Sequence, residues 1–252
     1  MLFGLRMKWA IGLMVALLMV SCTAGATDPS ESATTSPAAE PTESTELAVA
    51  PSIPEGLAQL NGTATVELVV NGEKILVEVD GTQAPITAGN FVDLVERGVY
   101  DGTVFHRVVR EPQPFVVQGG DPQSKDPSVP VQQLGTGGFI DPETQEKRLI
   151  PLEITPEGSE QPIYGQTFEV AGEAAKPALQ HTQGAIAMAR SQFPDSASAQ
   201  FYFALADLPF LDGSYAVFGY VTEGLEVVDA IQQGDVIESA TVIEGLDNLI
   251  TE

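Results

Sequence analysis

Asn71 and Gly72 stand between two β-rich runs, Thr63 to Val70 and Lys74 to Val79. Both residue types tolerate the positive φ that a two-residue hairpin turn demands, so the pair predicts an antiparallel hairpin and a β architecture around it. The pattern then breaks at Gln83-Ala84-Pro85-Ile86-Thr87. From Ala88 to Arg97 it becomes helical, with Ala88, Phe91, Val92 and Val95 on one face and Gly98 as the C-terminal stop. Strand-like runs return at Val104 to Val109, Phe115 to Gln118, Gly184 to Ala189, Gln200 to Leu205, Tyr215 to Val221 and Val236 to Glu244. A second amphipathic helix is expected over Glu223 to Gln233, burying Leu225, Val228 and Ile231. The periodicity therefore predicts a mainly antiparallel β-barrel of about eight short strands with two helices. Between Asp121 and Pro162 lies a long polar stretch rich in Pro and Gly, with one strand-like island at Arg148 to Ile154. Connections of that length inside a compact domain usually carry function or decoration.

The chain preceding the hairpin has a different character. Arg6 and Lys8 are followed by an apolar run from Trp9 to Val20, about 12 residues, well short of the ~20 that a membrane-crossing helix needs. A basic start and a short apolar segment predict a signal peptide over residues 1–21. Met19-Val20-Ser21-Cys22 resembles a bacterial lipobox, which makes Cys22 the expected lipidated residue. A diacyl anchor there would supply the two chains that stable membrane attachment requires. Cys22 is the single cysteine of the sequence, so an internal disulfide is not expected. Residues 22–56 are rich in Ser, Thr, Ala, Pro and Glu and are expected to be a disordered linker. As a flexible coil, its ~30 residues would reach roughly 30 Å. Residues 57–252 form the expected globular domain, with the insert at about 121–162.

Charge excludes one class of partner. Against 11 Lys and Arg stand 35 Asp and Glu, a net of −24. Loss of residues 1–21 removes Arg6 and Lys8 and no acid. So negative a surface repels phosphate backbones, and nucleic acid is not an expected partner.

Several motifs fall in one order along the domain: Ala84-Pro85-Ile86-Thr87, Asn90-Phe91, Tyr100-Asp101-Gly102-Thr103, Phe105-His106-Arg107-Val108 and Gln118-Gly119-Gly120-Asp121. They continue as Gly135-Thr136-Gly137-Gly138, Ile163-Tyr164-Gly165, Ala187-Met188-Ala189, Gln200-Phe201 and Leu211-Asp212-Gly213. Val217-Phe218-Gly219 and Val221-Thr222-Glu223-Gly224 close the series. This order resembles the cyclophilin-type peptidyl-prolyl cis-trans isomerases over about Thr63 to Val242. The resemblance implies a closed eight-stranded antiparallel barrel capped by two helices, with a substrate groove on its outer face. It further implies that Arg107 is catalytic and that Phe115, Val116, Tyr202 and Leu211 cup the proline ring, with Phe210 and Tyr215 at the rim. Gln118 and Gln200 would hold the substrate backbone, and the main chain of Ala189 and Arg190 would form the groove edge.

The chemistry is compatible with those residues. Rotation about an Xaa-Pro amide crosses a barrier of ~18–20 kcal/mol without breaking a bond, so no nucleophile, metal or cofactor is expected. The catalyst must prefer the twisted amide, whose prolyl nitrogen regains its lone pair, and a fixed guanidinium suits that state. His106, the neighbour of Arg107 on an alternating strand, should face the other way as a packed or hydrogen-bonded structural residue. A hydrolase triad of His106, Asp195 and Ser196 lacks a nucleophile-elbow signature. With only two histidines, and Cys22 outside the domain, a zinc site is not expected.

The sequence also departs from the family pattern. About two extra residues between Arg107 and Phe115 predict a small bulge at the groove entrance. Tyr202 replaces a common Phe and Arg190 a common Asn. Phe210 stands where many eukaryotic members carry Trp, which implies weak sensitivity to cyclosporin. The expected role is a foldase for exported or membrane-proximal polypeptides, held on the outward face of a bacterial membrane, in the periplasm or in the lumen of a photosynthetic bacterium. Proline-containing polypeptides and the membrane are its expected partners, and a monomer is the expected state. A non-catalytic peptide-binding chaperone or assembly scaffold using the same groove is the alternative. An accessory subunit of a larger membrane complex is a third reading.

Overall fold

The computed structural model describes residues 56–251. The signal segment, Cys22 and nearly all of the linker lie outside them. Among the described residues no helix is long and apolar enough to cross a membrane. In chain order the elements are β1 (Gln59–Leu60), β2 (Thr63–Val70), β3 (Glu73–Asp80), α1 (Pro85–Glu96), β4 (Arg107–Val109), β5 (Val116–Gly119), β6 (Glu153–Ile154) and β7 (Ile163–Tyr164). They continue with α2 (Phe168–Ala171), β8 (Ala185–Met188), β9 (Phe201–Ala204), β10 (Val217–Glu223), α3 (Leu225–Ala230), β11 (Ile237–Glu244) and β12 (Leu249–Ile250).

The predicted hairpin forms with both turn residues at positive φ, Asn71 at 55° and Gly72 at 76°. Its register pairs Val70 with Glu73 and runs to Thr63 opposite Asp80. Ala64, Val66, Leu68 and Val70 of β2, with Ile75, Val77 and Val79 of β3, all turn inward, the period-two alternation of a half-buried strand.

Eight strands make one antiparallel sheet in the order β11-β2-β3-β10-β8-β9-β5-β4. The expected closure is corrected here: the barrel is open, with β11 and β4 as edges. β4 is only three residues long and its ladder runs to β5 alone. Between the edges there is a single bridge, Val104 to Val236, flanked by hydrogen bonds from Phe105 N to Asp235 O (2.9 Å) and from Ile237 N to Thr103 O (2.8 Å).

Helix α1 fills the concave side. Pro85 sits in its first turn, where a missing N–H costs nothing. Gly98, at φ 64°, ends it with N–H bonds from Gly98 to Val95 O and from Val99 to Leu94 O, the left-handed stop that glycine allows. The predicted apolar face is buried, and Ile86 and Leu94 are buried as well. Phe91 meets the rings of Tyr100, Phe201 and Phe218 at 5.1–5.4 Å. Each fully buried aromatic of this kind contributes about 2–3 kcal/mol.

The second helix is shorter than expected. Gly224 is left-handed (φ 81°) and separates α3 from β10, while Ile231 leaves the helix at ψ 133°. The chain thereby carries Gly234 to Phe105 O, at 2.9 Å. Val227, not Leu225, joins Val228 and Ile231 in the core. The 121–162 insert contributes β6, which pairs with β7 apart from the main sheet.

Candidate active site

Strand alternation divides the sheet into two faces. Along β4, β5, β9 and β8, the cross-strand partners Arg107, Gln118, Tyr202 and Ala187 form one row on the outer face. Val108, Val117, Phe203 and Ile186 form the neighbouring row, which belongs to the inner core. The outer row sits in a second apolar cluster of Val116, Ala185, Ala187, Tyr202, Ala204, Leu208 and Val217. Gly213 occurs at φ 74° in the turn after Leu211, with Phe168 of α2 packed against it.

That cluster holds a cavity of about 140 Å³ lined by Arg107, Phe115, Val116, Gln118, Ala189, Arg190, Tyr202, Leu211 and Tyr215. Nine of the residues expected at the site thus converge on one space. Phe210 stands at its rim, 65 % exposed and stacked on Phe115 at 6.0 Å. Gln200 lines an adjoining cavity of about 340 Å³, which shares Gln118, Ala189 and Arg190 with the first.

Arg107 is exposed, with its guanidinium 5.6 Å from the centroid of the Phe115 ring. A chain of amides orients it. Arg107 Nη1 donates to Gln118 Oε1 (3.2 Å), Gln118 Nε2 to Gln200 Oε1 (3.1 Å), and Gln200 Nε2 to Gly137 O (2.8 Å). Arg107 lines the cavity together with Phe115, Val116, Tyr202 and Leu211, which sets a permanent charge beside apolar side chains. The hairpin joining β4 to β5 closes with Phe115 N on Val109 O (3.0 Å). Arg110, which follows β4, donates to Asp229 O (2.7 Å), and the β4–β5 register shows no bulge.

Ala189 and Arg190 line both cavities. Ala189 N donates to Gln200 O at 2.9 Å. The Arg190 side chain also participates: it donates to Ser214 O through Nη2 (2.7 Å) and lies 4.6 Å over the Tyr215 ring. Sequence reasoning missed a buried relay beneath the cavity. His181 Nδ1 is 2.8 Å from Asp212 Oδ1, and His181 Nε2 is 2.9 Å from the Tyr202 hydroxyl. Burial holds the His181 pKa below its ordinary value, against the pull of Asp212. In the neutral ring a carboxylate can only accept, so Nδ1–H donates to Asp212 and Nε2 accepts from Tyr202. Burial likewise pushes the Tyr202 phenol up, out of the titratable range. No sequence spacing links residues 181, 202 and 212. Only the identity of Tyr202, a hydroxyl in a pocket position, hinted that a partner was required.

His106 is buried, with burial lowering its pKa. It precedes β4, and Phe105 before it is already in the inner core, so strict alternation does not extend to it. Its ring nitrogens have no hydrogen-bond partner among the described residues. Ser196 and Asp195 do not approach it: Ser196 Oγ donates to Phe193 O (2.6 Å) and Asp195 accepts from Leu152 N (3.1 Å). Among the described residues no three His, Cys, Asp or Glu side chains converge in a way that could hold a metal ion.

Comparison with known proteins agrees with this geometry. The family described as "Cyclophilin type peptidyl-prolyl cis-trans isomerase/CLD" matches residues 65–247, and the chain belongs to it. Among curated relatives, a thylakoid lumen peptidyl-prolyl cis-trans isomerase of Synechocystis is 46 % identical over 213 residues, covering 79 % of this chain and 52 % of the relative. A chloroplastic peptidyl-prolyl cis-trans isomerase of Arabidopsis thaliana is 41 % identical over 208 residues, covering 75 % and 44 %. The chain thus spans about half the length of these two relatives. A peptidyl-prolyl cis-trans isomerase of Helicobacter pylori is 34 % identical over 190 residues, 75 % of this chain and 92 % of that one. The crystal structure of a Cryptosporidium parvum cyclophilin shares the fold, with a TM-score of 0.54 at 22 % identity over 72 % of this chain and 98 % of that one.

Proposed function

We propose that this chain is a peptidyl-prolyl cis-trans isomerase acting on exported or lumenal polypeptides. The observation that carries the reading is the placement of the Arg107 guanidinium at the mouth of an apolar cavity walled by Phe115, Val116, Tyr202 and Leu211. The cavity suits a proline ring, which presents CH₂ surface and no N–H. With the ring held, Gln118 and Gln200 offer amide groups to the flanking backbone. Arg107 then favours the twisted amide, whose nitrogen can accept a hydrogen bond that neither planar isomer can. Binding energy realised only in the twisted state lowers the barrier.

The test follows the cis-to-trans relaxation of an Ala-Pro peptide with the full chain, wild type against Arg107→Ala. The wild type should accelerate it, and the variant should lose roughly 10²–10³-fold, the usual scale for one preorganised electrostatic donor. A well-folded wild type without acceleration sinks the enzymatic reading in favour of a peptide-binding scaffold.

The place of action rests on the sequence and on the relatives, two of which are named for the thylakoid lumen and the chloroplast. Residues 1–21 act as the signal, Cys22 takes the lipid and residues 22–56 space the domain from the membrane. Incorporation of labelled palmitate that is lost in Cys22→Ala supports the anchor, and incorporation that persists overturns it.

A further inference from the structure

The groove has a charge opposite to that of the protein. The chain carries 35 acids against 11 bases, yet no Asp or Glu lines the proline cavity or its neighbour. Only nine Lys and Arg residues follow residue 21, and three of them, Arg107, Lys147 and Arg190, line these two spaces. The ion pairs among the described residues use Lys74, Arg97, Arg148 and His181, so none of the three groove cations has a carboxylate partner. The buried carboxylate of Asp121 accepts from the N–H groups of Gly135 and Gly137, which line the larger cavity, and from Gln123 N–H, at 2.6–3.1 Å. A side chain at Gly137 would collide with it.

The three cations differ in what they have left to give. Arg107 serves the proline, and Arg190 already donates to the carbonyls of Ser214, Ser191 and Gln192. Lys147 makes one long contact, Nζ to Thr136 O at 3.4 Å, and is otherwise free and exposed. Its backbone is nevertheless fixed. Ile140 bridges to Lys147, and the next residue, Arg148, pairs with Asp93 and Asp141 and lies 4.7 Å over Phe139. An unspent ammonium on a fixed backbone thus borders a space of about 340 Å³ that continues from the proline cavity, and a more open one of about 500 Å³ as well.

We propose that the adjoining cavity selects an acidic side chain of the bound polypeptide, with its carboxylate read by Lys147 in the field of Arg190. This deepens the reading of the groove as a proline-peptide site and rests on it. Because the two cavities share Gln118, Ala189 and Arg190, an extended chain rising ~3.3 Å per residue reaches both within a few residues. The preferred substrates are therefore proline segments with Asp or Glu close by.

The test uses the full chain in mild detergent and peptides with one Ala-Pro bond. A single Glu, or Gln as its neutral match, is moved through three positions on either side of the proline. Exchange NMR reads binding and isomerisation from the same samples. At one position or two adjacent ones, Glu should outperform Gln by about two- to fivefold in binding and in kcat/KM, the scale of an exposed ion pair. Lys147→Glu should reverse that ratio. Lys176→Glu, outside both cavities and making the same change in net charge, should preserve it. Peptides that isomerise with no Glu preference overturn the proposal while leaving the isomerase reading intact. So does a preference that survives Lys147→Glu. Glu-dependent binding without isomerisation supports the proposal and sinks the enzymatic reading instead, and a groove that binds no peptide sinks both.

Discussion

The strand wall of the groove and the wall supplied by residues 121–162 rest on different chemistry. β4, β5 and β9 hold Arg107, Gln118 and Tyr202 through ladder hydrogen bonds and an apolar layer beneath them. The insert has almost no ladder. It is pinned by buried polar side chains: Asp121 gathers three N–H groups, Arg148 reaches Asp93 and Asp141, and Glu153 crosses to α1. In the strand wall many weak contacts share the load, so exposed functional groups can be changed without unfolding it. In the insert single residues carry whole segments, and their replacement should be felt in stability before it is felt in chemistry.

The largest effect should come from Glu153. Its side chain, 1 % exposed, accepts from Ile86 N (3.2 Å) and Thr87 N (2.8 Å). It thereby caps a helix whose N-cap residue, Ala84, offers no side-chain acceptor. Glu153→Ala leaves two buried donors unpaired and should cost about 2–4 kcal/mol in urea unfolding. Arg107→Ala, on the exposed side of the strand wall, should stay within ~0.5 kcal/mol of wild type. Equal losses in the two variants would erase the contrast between the walls.

The pH dependence should separate the walls in sign. Burial raises the Glu153 carboxyl above its ordinary 4.5, with the N–H bonds from Thr87 and Ile86 opposing it. Folding then takes up a proton at this group. Its contribution is fully present below pH 4.5 and declines as pH rises through the elevated value. Burial lowers the pKa of His181 below 6.5, so its contribution is present above pH 6.5 and is lost as pH falls through the depressed value. Urea midpoints of wild type against Glu153→Gln and against His181→Asn, taken from pH 4 to 8, should show opposite slopes. A wild-type advantage over Glu153→Gln that grows with pH would mean that the α1 N-terminus outweighs burial and keeps the group ionised.

What could be read in advance follows the same division. The Asn71-Gly72 turn and the inward rows of β2 and β3 are consequences of local rules, and each is visible in a few adjacent residues. The Glu153 cap joins residues 66 and 67 positions apart, and the His181-Asp212 contact spans 31; no period or spacing encodes such a pair. The open barrel was illegible for a related reason. Val104 to Val109 has the composition of one long strand. At the seam, however, Thr103 and Phe105 take hydrogen bonds from Ile237 and Gly234, and the β4–β5 ladder begins only at Arg107. The motif resemblance brought Phe115, Gln200 and Tyr215 to the site, because those positions are distant in sequence and share no periodicity.

Tyr202 belongs to both descriptions, since it is a strand residue that also depends on a buried polar partner. Its ring walls the cavity, while its hydroxyl is bonded to His181 Nε2 at 2.9 Å. Tyr202→Phe keeps the wall and leaves one buried acceptor without its donor. The expected stability loss is therefore about 1 kcal/mol, with kcat/KM for the Ala-Pro peptide falling less than about tenfold. Each tenfold corresponds to ~1.4 kcal/mol of barrier, more than a hydroxyl already bonded to His181 should supply. A much larger loss of rate at the same small loss of stability would place the hydroxyl in contact with substrate. The relay through His181 and Asp212 would then position a group that acts on the peptide, and the strand wall would depend on a single polar chain just as the insert does.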